Sequence, residues 1–341
     1  MTDPIALLGS PGSPYTRKML AVLRYRRIPY RFLFGAHALA GLPTPKVRLL
    51  PTVYLPDDTG ALQAVTDSTP IIRRLERERP GRAVIPADPA LAFIDALIED
   101  YGDEWLTKAM FHYRWAFAED IDKAARVLPN WMGRPLSDAA LAELGAAFSA
   151  RQIGRLRYVG SNPKTGPVIE GSYQRFIAIF ERLLSTQPFL FGARPAAADF
   201  ALFGQLTQLA QFDPTPMALT AQTAPRVFAW TSAMEDLSGL EPTDADWLDP
   251  AALPEALKAL IAEIGRVYAP LLLANAQALQ AGADQVSLTI DGADWVQQPF
   301  AYQGKCLSRL RSDYAALPSA AKARVDQVIA DTGCAALFAA A

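Results

Sequence analysis

The feature that most constrains the fold is a change of pattern near residue 80. Before it, short apolar stretches alternate with turn-forming residues in the order strand, helix, strand, strand, strand, helix. After it, apolar residues recur at helical spacing until about residue 240, with interruptions at prolines. Residues 80–90 contain three prolines and are typical of a linker. The pattern therefore predicts an α+β domain at 1–80 and an all-helical domain at 88–240.

A third region covers residues 244–341. Its apolar spacing predicts several helices, and an Asp-Gly pair at 291–292, between the apolar stretches 286–290 and 295–296, predicts a β-hairpin. We expect this extension to pack on the helical domain. The polar and aromatic cluster at 302–307 predicts an amphipathic helix that docks there, and a lid over the active site is the alternative.

Charge and rare residue types exclude several classes of function. The formal net charge of −2 gives no general basic field for nucleic acid or anionic lipid. Only Cys306 and Cys334 are cysteines, which excludes a disulfide framework and fits a reducing compartment. With two histidines in all, no conventional metal site is expected. The sequence shows neither a secretory signal nor a stretch long enough to span a bilayer, so the expected location is the cytoplasm.

Three short segments of the first domain carry candidate chemistry. Ser13-Pro14-Tyr15-Thr16 follows the first strand and resembles the Cys-Pro-Tyr-Cys site of glutaredoxins with both thiols replaced. Leu50-Pro51-Thr52-Val53 is similar to the cis-proline turn of thioredoxin folds. Asp67-Ser68 opens the last helix and resembles the acidic–serine pair with which glutathione transferases hold the γ-glutamyl end of glutathione. Helix capping is a sufficient structural reason for Ser13, Asp67 and Ser68, and both roles are compatible.

A fourth segment, residues 191–200, resembles the capping-box segment of the same family. Ala196 stands where the family usually has Ser or Thr, a loss of about 1 kcal/mol of helix stability. Asp199 is therefore expected to be structural. Because the four segments occur in family order, the chain resembles a glutathione S-transferase. That resemblance implies a thioredoxin-like domain, then an all-α transferase domain, with 244–341 as an addition.

The absence of any cysteine before Cys306 decides which chemistry is possible. Thiol–disulfide exchange needs a cysteine at position 13. Activation of the thiol of glutathione remains, and lowering a pKa near 8.5 by about two units requires about 2.7 kcal/mol. A helix N-terminus supplies about 0.3–1 kcal/mol, and a hydroxyl hydrogen bond about 1.5–3 kcal/mol. Ser13 is therefore the predicted activating group, with Ser10 as competitor and Tyr15 as a weaker third.

The resemblance also implies how glutathione is held. Leu50 and Pro51 provide a backbone clamp, Asp67 and Ser68 hold the γ-glutamyl group, and Lys46 or His37 meets the glycine carboxylate.

A second-substrate pocket is expected at four residues on one face of the helical region: Tyr101, Trp105, Lys108 and His112. In the family the helix at this position contributes to that pocket and to the dimer interface. An aromatic core stripe fits the same spacing.

The implied activity is conjugation of glutathione, as co-substrate, to a small, electrophilic, apolar compound in detoxification. The family further implies a homodimer without nucleic acid, membrane or metal. The alternative is a non-catalytic protein of the same fold that binds glutathione or another ligand.

Overall fold

A four-stranded mixed sheet organises the first domain, in a computed structural model that describes residues 4–35, 39, 41–133 and 135–339. The strands lie in the order β2-β1-β3-β4, where β1 and β2 are parallel and the other pairs antiparallel. The elements of this domain are β1 (Ile5–Leu8), α1 (Pro14–Tyr25), β2 (Tyr30–Leu33), β3 (Thr52–Pro56), β4 (Leu62–Thr66) and α2 (Ser68–Glu78). They match the predicted order.

The helical domain is built around one buried helix. Its helices are α3 (Pro89–Glu104), α4 (Leu106–Ala116), α5 (Ala118–Val127), α6 (Asp138–Ile153), α7 (Gly166–Leu183), α8 (Ala197–Leu209), α9 (Pro214–Thr223) and α10 (Pro225–Ala233). Every residue of α8 is buried, and α8 packs against both α1 and α3. One apolar core therefore continues from the sheet into the helical domain.

The extension contains helices and a two-stranded sheet, as predicted. Its elements are α11 (Glu255–Glu263), a π-helical turn (Ile264–Tyr268), α12 (Ala269–Ala281), β5 (Val286–Ile290), β6 (Ala293–Gln297), α13 (Ala301–Ala315) and α14 (Ser319–Ile329). The hairpin turns at Asp291 and Gly292, which both have positive φ, as a tight two-residue turn requires. β6 begins two residues earlier than predicted because Ala293 and Asp294 pair with β5. The predicted fold class is confirmed.

The proline-rich segment after α2 is packed rather than free. Val84 is buried, and its carbonyl accepts a hydrogen bond from the Ala197 N–H at 2.8 Å. The Arg194 guanidinium donates to the carbonyl of Ala83 at 2.8 Å. The segment thus joins the start of α8 to the first domain, and the boundaries drawn at 80 and 88 stay a prediction.

Buried acids of α3 connect the three parts of the chain. Glu99 and Asp103 form ion pairs with the buried ammonium of Lys18 on α1, at 2.7 and 2.6 Å. Asp100 accepts from the Tyr268 hydroxyl at 2.7 Å and from the Arg309 guanidinium at 3.2 Å, both in the extension. The extension therefore lies along α3, close to the first domain. No helix in the described part of the chain is long and apolar enough to cross a membrane.

Candidate active site

Ser13 lies where the first helix meets the cis-proline loop. It is the N-cap of α1, and its Oγ accepts a hydrogen bond from the Thr16 N–H at 3.3 Å. The same hydroxyl donates to the carbonyl of Leu50 at 3.5 Å, and the Leu50–Pro51 peptide bond is cis. The structure therefore brings these two predicted segments together. Because this donor contact is long, the hydroxyl proton is available to a bound anion.

The helical domain fixes the loop that precedes Ser13. The Arg114 guanidinium donates to the carbonyl of Gly12, and the Gln208 side-chain amide donates to that of Pro11, each at 3.2 Å. A Cβ on Gly12 would approach Leu128 to 2.8 Å and Trp131 to 2.9 Å, so the loop is in close contact there. These supporting residues were missed by sequence reasoning because they belong to distant helices.

The two alternative activating residues are placed differently. The Tyr15 hydroxyl donates to the carbonyl of Asp103 at 2.7 Å, and burial raises its pKa well above the ordinary value. Tyr15 thus links α1 to α3, and its hydroxyl proton is already used in this hydrogen bond. Ser10 contributes its backbone: its N–H donates to the Thr16 hydroxyl at 3.3 Å, and its carbonyl accepts from the Ser13 N–H at 3.0 Å.

Asp67 and Ser68 open α2 as predicted, but Asp67 does not cap the helix with its side chain. Its backbone has φ 80° and ψ 111°, in a region that costs a non-glycine residue about 1–3 kcal/mol. Its carboxylate Oδ2 instead accepts a hydrogen bond at 2.6 Å from the hydroxyl of Tyr302, in α13. The capping interpretation of the Asp67 side chain was therefore wrong. Ser68 is buried at the first position of α2.

The residues proposed for the glycine carboxylate remain predictions. Lys46 is exposed in the loop that leads to the cis peptide bond. His37 lies outside the described residues.

The four residues expected to line a second-substrate pocket are all buried. Tyr101 packs against Phe176 and Tyr268, and the Trp105 indole N–H donates to Ser172 at 3.0 Å. In this conformation Tyr101 and Trp105 form part of the core rather than the wall of an open cleft.

Lys108 and His112 are buried with polar partners. The Lys108 ammonium donates to Gln297 of β6 at 3.2 Å, and the His112 ring contacts Ser161 at 2.7 Å and Glu170 at 3.2 Å. Burial lowers the pKa of Lys108 to about 8. The hairpin therefore covers Lys108, and a second-substrate role for this residue requires the hairpin to move away.

Glu104, at the C-terminal end of α3, was missed by sequence reasoning. It is buried beside Asp100 and Asp103, and it accepts a hydrogen bond from the side-chain amide of Gln303 at 3.2 Å. Burial, reinforced by the two neighbouring acids, raises the pKa of Glu104 to about 8. The carboxyl group therefore stays largely protonated at neutral pH.

Neither cysteine can supply an exposed thiolate to this site. Cys306 and Cys334 are both free and buried, and burial raises the pKa of each thiol. In the part of the chain that the structure describes, no group of three or more His, Cys, Asp or Glu side chains is arranged to hold a metal ion.

Two family descriptions match parts of the chain. Residues 7–83 match "glutathione S-transferase, N-terminal domain", and residues 137–233 match "glutathione S-transferase, C-terminal domain". Together they cover about half of the chain, including the segments that carry Ser13, Leu50 and Asp67. No curated protein matches it.

Several solved structures are similar to the chain. A GST-like protein from Pseudomonas syringae is 17% identical over 74% of this chain and 78% of that one, with a TM-score of 0.43. A beta-etherase from Sphingobium sp. strain SYK-6 is 20% identical over 68% of this chain and 95% of that one, with a TM-score of 0.47. A glutathione S-transferase from Methylobacterium radiotolerans, in complex with glutathione sulfonate, is 19% identical over 72% of this chain and 95% of that one, with a TM-score of 0.41.

Proposed function

Because the chain belongs to the glutathione S-transferase-like family, we propose that it binds glutathione at the start of α1 and activates its thiol. The observation that carries this proposal is the position of Ser13, whose hydroxyl lies at the helix N-terminus and 3.5 Å from the carbonyl of Leu50. A sulfur atom bound there would face both the positive end of α1 and a hydroxyl donor. The acceptor substrate we propose is a small, apolar electrophile.

Ser13 acts in this proposal by donating its hydroxyl proton as a hydrogen bond to the thiolate. A hydrogen bond to a charged group contributes about 1.5–3 kcal/mol, which lowers the thiol pKa by about one to two. The helix N-terminus adds about 0.3–1 kcal/mol. The thiolate then attacks the electrophile, so a sulfur–carbon bond forms and the leaving group departs with its electron pair. Tyr15 is disfavoured because its proton is engaged by Asp103.

The remaining atoms of glutathione are assigned to the surrounding backbone and side chains. We propose that the backbone of Leu50 and Pro51 pairs with the cysteinyl residue, since the carbonyl of Leu50 lies 3.5 Å from the Ser13 hydroxyl. Asp67 and Ser68 are proposed for the γ-glutamyl end, beside the N–H groups of the first turn of α2. Lys46 or His37 is proposed for the glycine carboxylate.

A non-catalytic glutathione-binding protein is the second candidate, and one observation favours it. The four residues proposed for the second substrate are enclosed by the extension and by α7, which leaves them inaccessible in this conformation. A binding protein needs no acceptor pocket at that place.

We also propose, from the family, a homodimer and a role in cytoplasmic detoxification. The dimer interface would lie away from the face of α3 that α13 and α14 cover, because these helices already pack on it.

Titration of the thiol of bound glutathione tests the proposal. Ser13→Ala is expected to raise the thiol pKa, followed by thiolate absorbance, by about one to two. The variant also loses a helix cap, about 0.5–2 kcal/mol, so Ser137→Ala is the matched control: Ser137 caps α6 with the same 3.3 Å geometry, in another helix. That control should leave the thiol pKa unchanged.

The other outcomes discriminate among the candidates. A raised thiol pKa in Ser10→Ala, with Ser13→Ala unchanged, transfers the activating role to Ser10. Calorimetry that shows binding, together with no turnover in a broad electrophile screen, selects the non-catalytic candidate. Absence of binding at millimolar glutathione refutes both candidates.

A further inference from the structure

Tyr302, in the first turn of α13, contacts the carboxylate proposed to hold the γ-glutamyl end of glutathione. Its hydroxyl donates to Oδ2 of Asp67 at 2.6 Å, across 235 residues of sequence. The two family matches cover residues 7–83 and 137–233, so Tyr302 belongs to the region that neither one covers.

The orientation of the Asp67 side chain depends on this contact. Although Asp67 occupies the N-cap position of α2, its carboxylate accepts no N–H of that helix. Among the described residues, the Tyr302 hydroxyl makes the one side-chain hydrogen bond to Asp67. The positive φ of Asp67 turns the residue out of the helical path, so the extension rather than α2 holds the carboxylate.

The start of α13 is itself fixed on two sides. Asn275 of α12 donates to the carbonyl of Phe300 at 3.0 Å and accepts from its N–H at 2.7 Å. Gln303 donates to Glu104 at 3.2 Å. Tyr302 lies between these two anchored residues and is partly buried, so its hydroxyl is presented to Asp67 at a defined position.

A carboxylate can accept hydrogen bonds at both oxygens, and Tyr302 uses Oδ2. Because the hydrogen bond from Tyr302 fixes the orientation of the carboxylate, it also fixes the position of the other oxygen, Oδ1. That oxygen can accept a hydrogen bond from a cationic donor. The γ-glutamyl end of glutathione carries such a donor, its α-ammonium group. We propose that Tyr302 is a positioning residue that orients Asp67 for the α-ammonium group of glutathione, which makes the extension part of the glutathione site. This inference rests on the proposed function.

Binding of glutathione and of an analogue without the α-amino group tests the inference by calorimetry. The wild-type protein should prefer glutathione. Tyr302→Phe should bind glutathione about tenfold more weakly, as loss of one hydrogen bond to a charged group predicts, and should bind the analogue within about twofold of wild type. The preference for the amino group therefore falls, which a general loss of structure would not produce.

Tyr314→Phe is the matched control, because Tyr314 lies in the same helix and also donates to a carboxylate, that of Asp326. It should keep the wild-type preference. Asp67→Asn, which keeps an acceptor for Tyr302 but removes the charge, should lose the preference as Tyr302→Phe does. Equal urea midpoints of the two tyrosine variants would show that the folded state is equally populated in both.

Three results would overturn the inference. An unchanged preference in Tyr302→Phe, with wild-type binding intact, refutes the role of Tyr302 alone. Tighter binding of glutathione by Tyr302→Phe shows that the hydroxyl blocks the site instead of preparing it. No binding of glutathione by the wild-type protein or by any variant refutes the proposed function, and the inference with it.

Discussion

Replacing Glu104 by glutamine tests whether a buried acid keeps its proton at neutral pH. The carboxyl group lies beside Asp100 and Asp103, and its pKa is raised from 4.5 to about 8, first by burial and then by these neighbours. Gln303 donates to its Oε2, and a glutamine at 104 offers a carbonyl oxygen to the same donor. The substitution therefore keeps the size and the hydrogen bond while it removes the titration.

The sign of the effect follows from proton binding. Between pH 4.5 and about 8 the folded chain retains a proton at Glu104 that the unfolded chain has lost, so the free energy of unfolding falls as the pH rises. Each pH unit in that window corresponds to about 1.4 kcal/mol, or up to about 4 kcal/mol between pH 5 and pH 8. Lys108, with its pKa lowered to about 8, affects stability above that window, where the folded chain has lost a proton that the unfolded chain keeps.

Urea unfolding at pH 5, 6.5 and 8 provides the measurement. Glu104→Gln should match the wild type within about 1 kcal/mol at pH 5 and be more stable by several kcal/mol at pH 8. Groups that do not interact with Glu104 contribute equally to both proteins and cancel in the difference, whereas Lys108, whose pKa Glu104 raises, reduces the gain in stability at pH 8. Glu143→Gln, at an exposed position of α6, is the control and should run parallel to the wild type. If Glu104→Gln also runs parallel, Glu104 is ionised in the folded protein and the argument from burial is refuted.

Ala196→Ser should raise the free energy of unfolding, measured in urea, by about 0.5–2 kcal/mol. Ala196 is the N-cap of α8 and has no side-chain oxygen to accept a helix N–H. The other half of the capping box is present, because Asp199 accepts a hydrogen bond from the Ala196 N–H at 2.9 Å. A lower stability would mean that this buried position has no room for the hydroxyl. Light scattering at micromolar concentration should give twice the chain mass of 37.0 kDa, as the proposed homodimer requires. A mass of one chain would remove the dimer from the proposal.

Local signals made the first domain predictable. The cap at Ser13, the cis bond before Pro51 and the helix start at Ser68 each depend on residues close in sequence, so short motifs reveal them. The confirmed element order then brings Ser13 next to Leu50, because β1 and β3 are neighbours in the sheet.

Long-range contacts explain what the sequence did not reveal. The spacing of Tyr101, Trp105 and Lys108 predicts a common face of one helix, but α3 ends at Glu104 and α4 begins at Leu106. The hairpin strand that meets Lys108 is almost 190 residues away. Periodicity shows which side chains share a face and says nothing about what covers that face. For the same reason, the sequence did not predict the contact of Tyr302 with Asp67. Nor did it predict the raised pKa of Glu104, which depends on the burial of α3 by other parts of the chain.

The acids along α3 also bear on how such a three-part chain arises in evolution. Asp100 supplies acceptors, whereas Tyr268 and Arg309 of the extension supply donors. Carboxylates on an uncovered helix are hydrated at little cost, so the acceptors can exist before an extension is acquired. Once the donors are in place, loss of Asp100 removes the carboxylate to which the partly buried Arg309 donates, so we expect substitutions at the two positions to be coupled. We therefore expect relatives that carry the extension to change Asp100 and Arg309 together, and relatives without the extension to vary Asp100 alone.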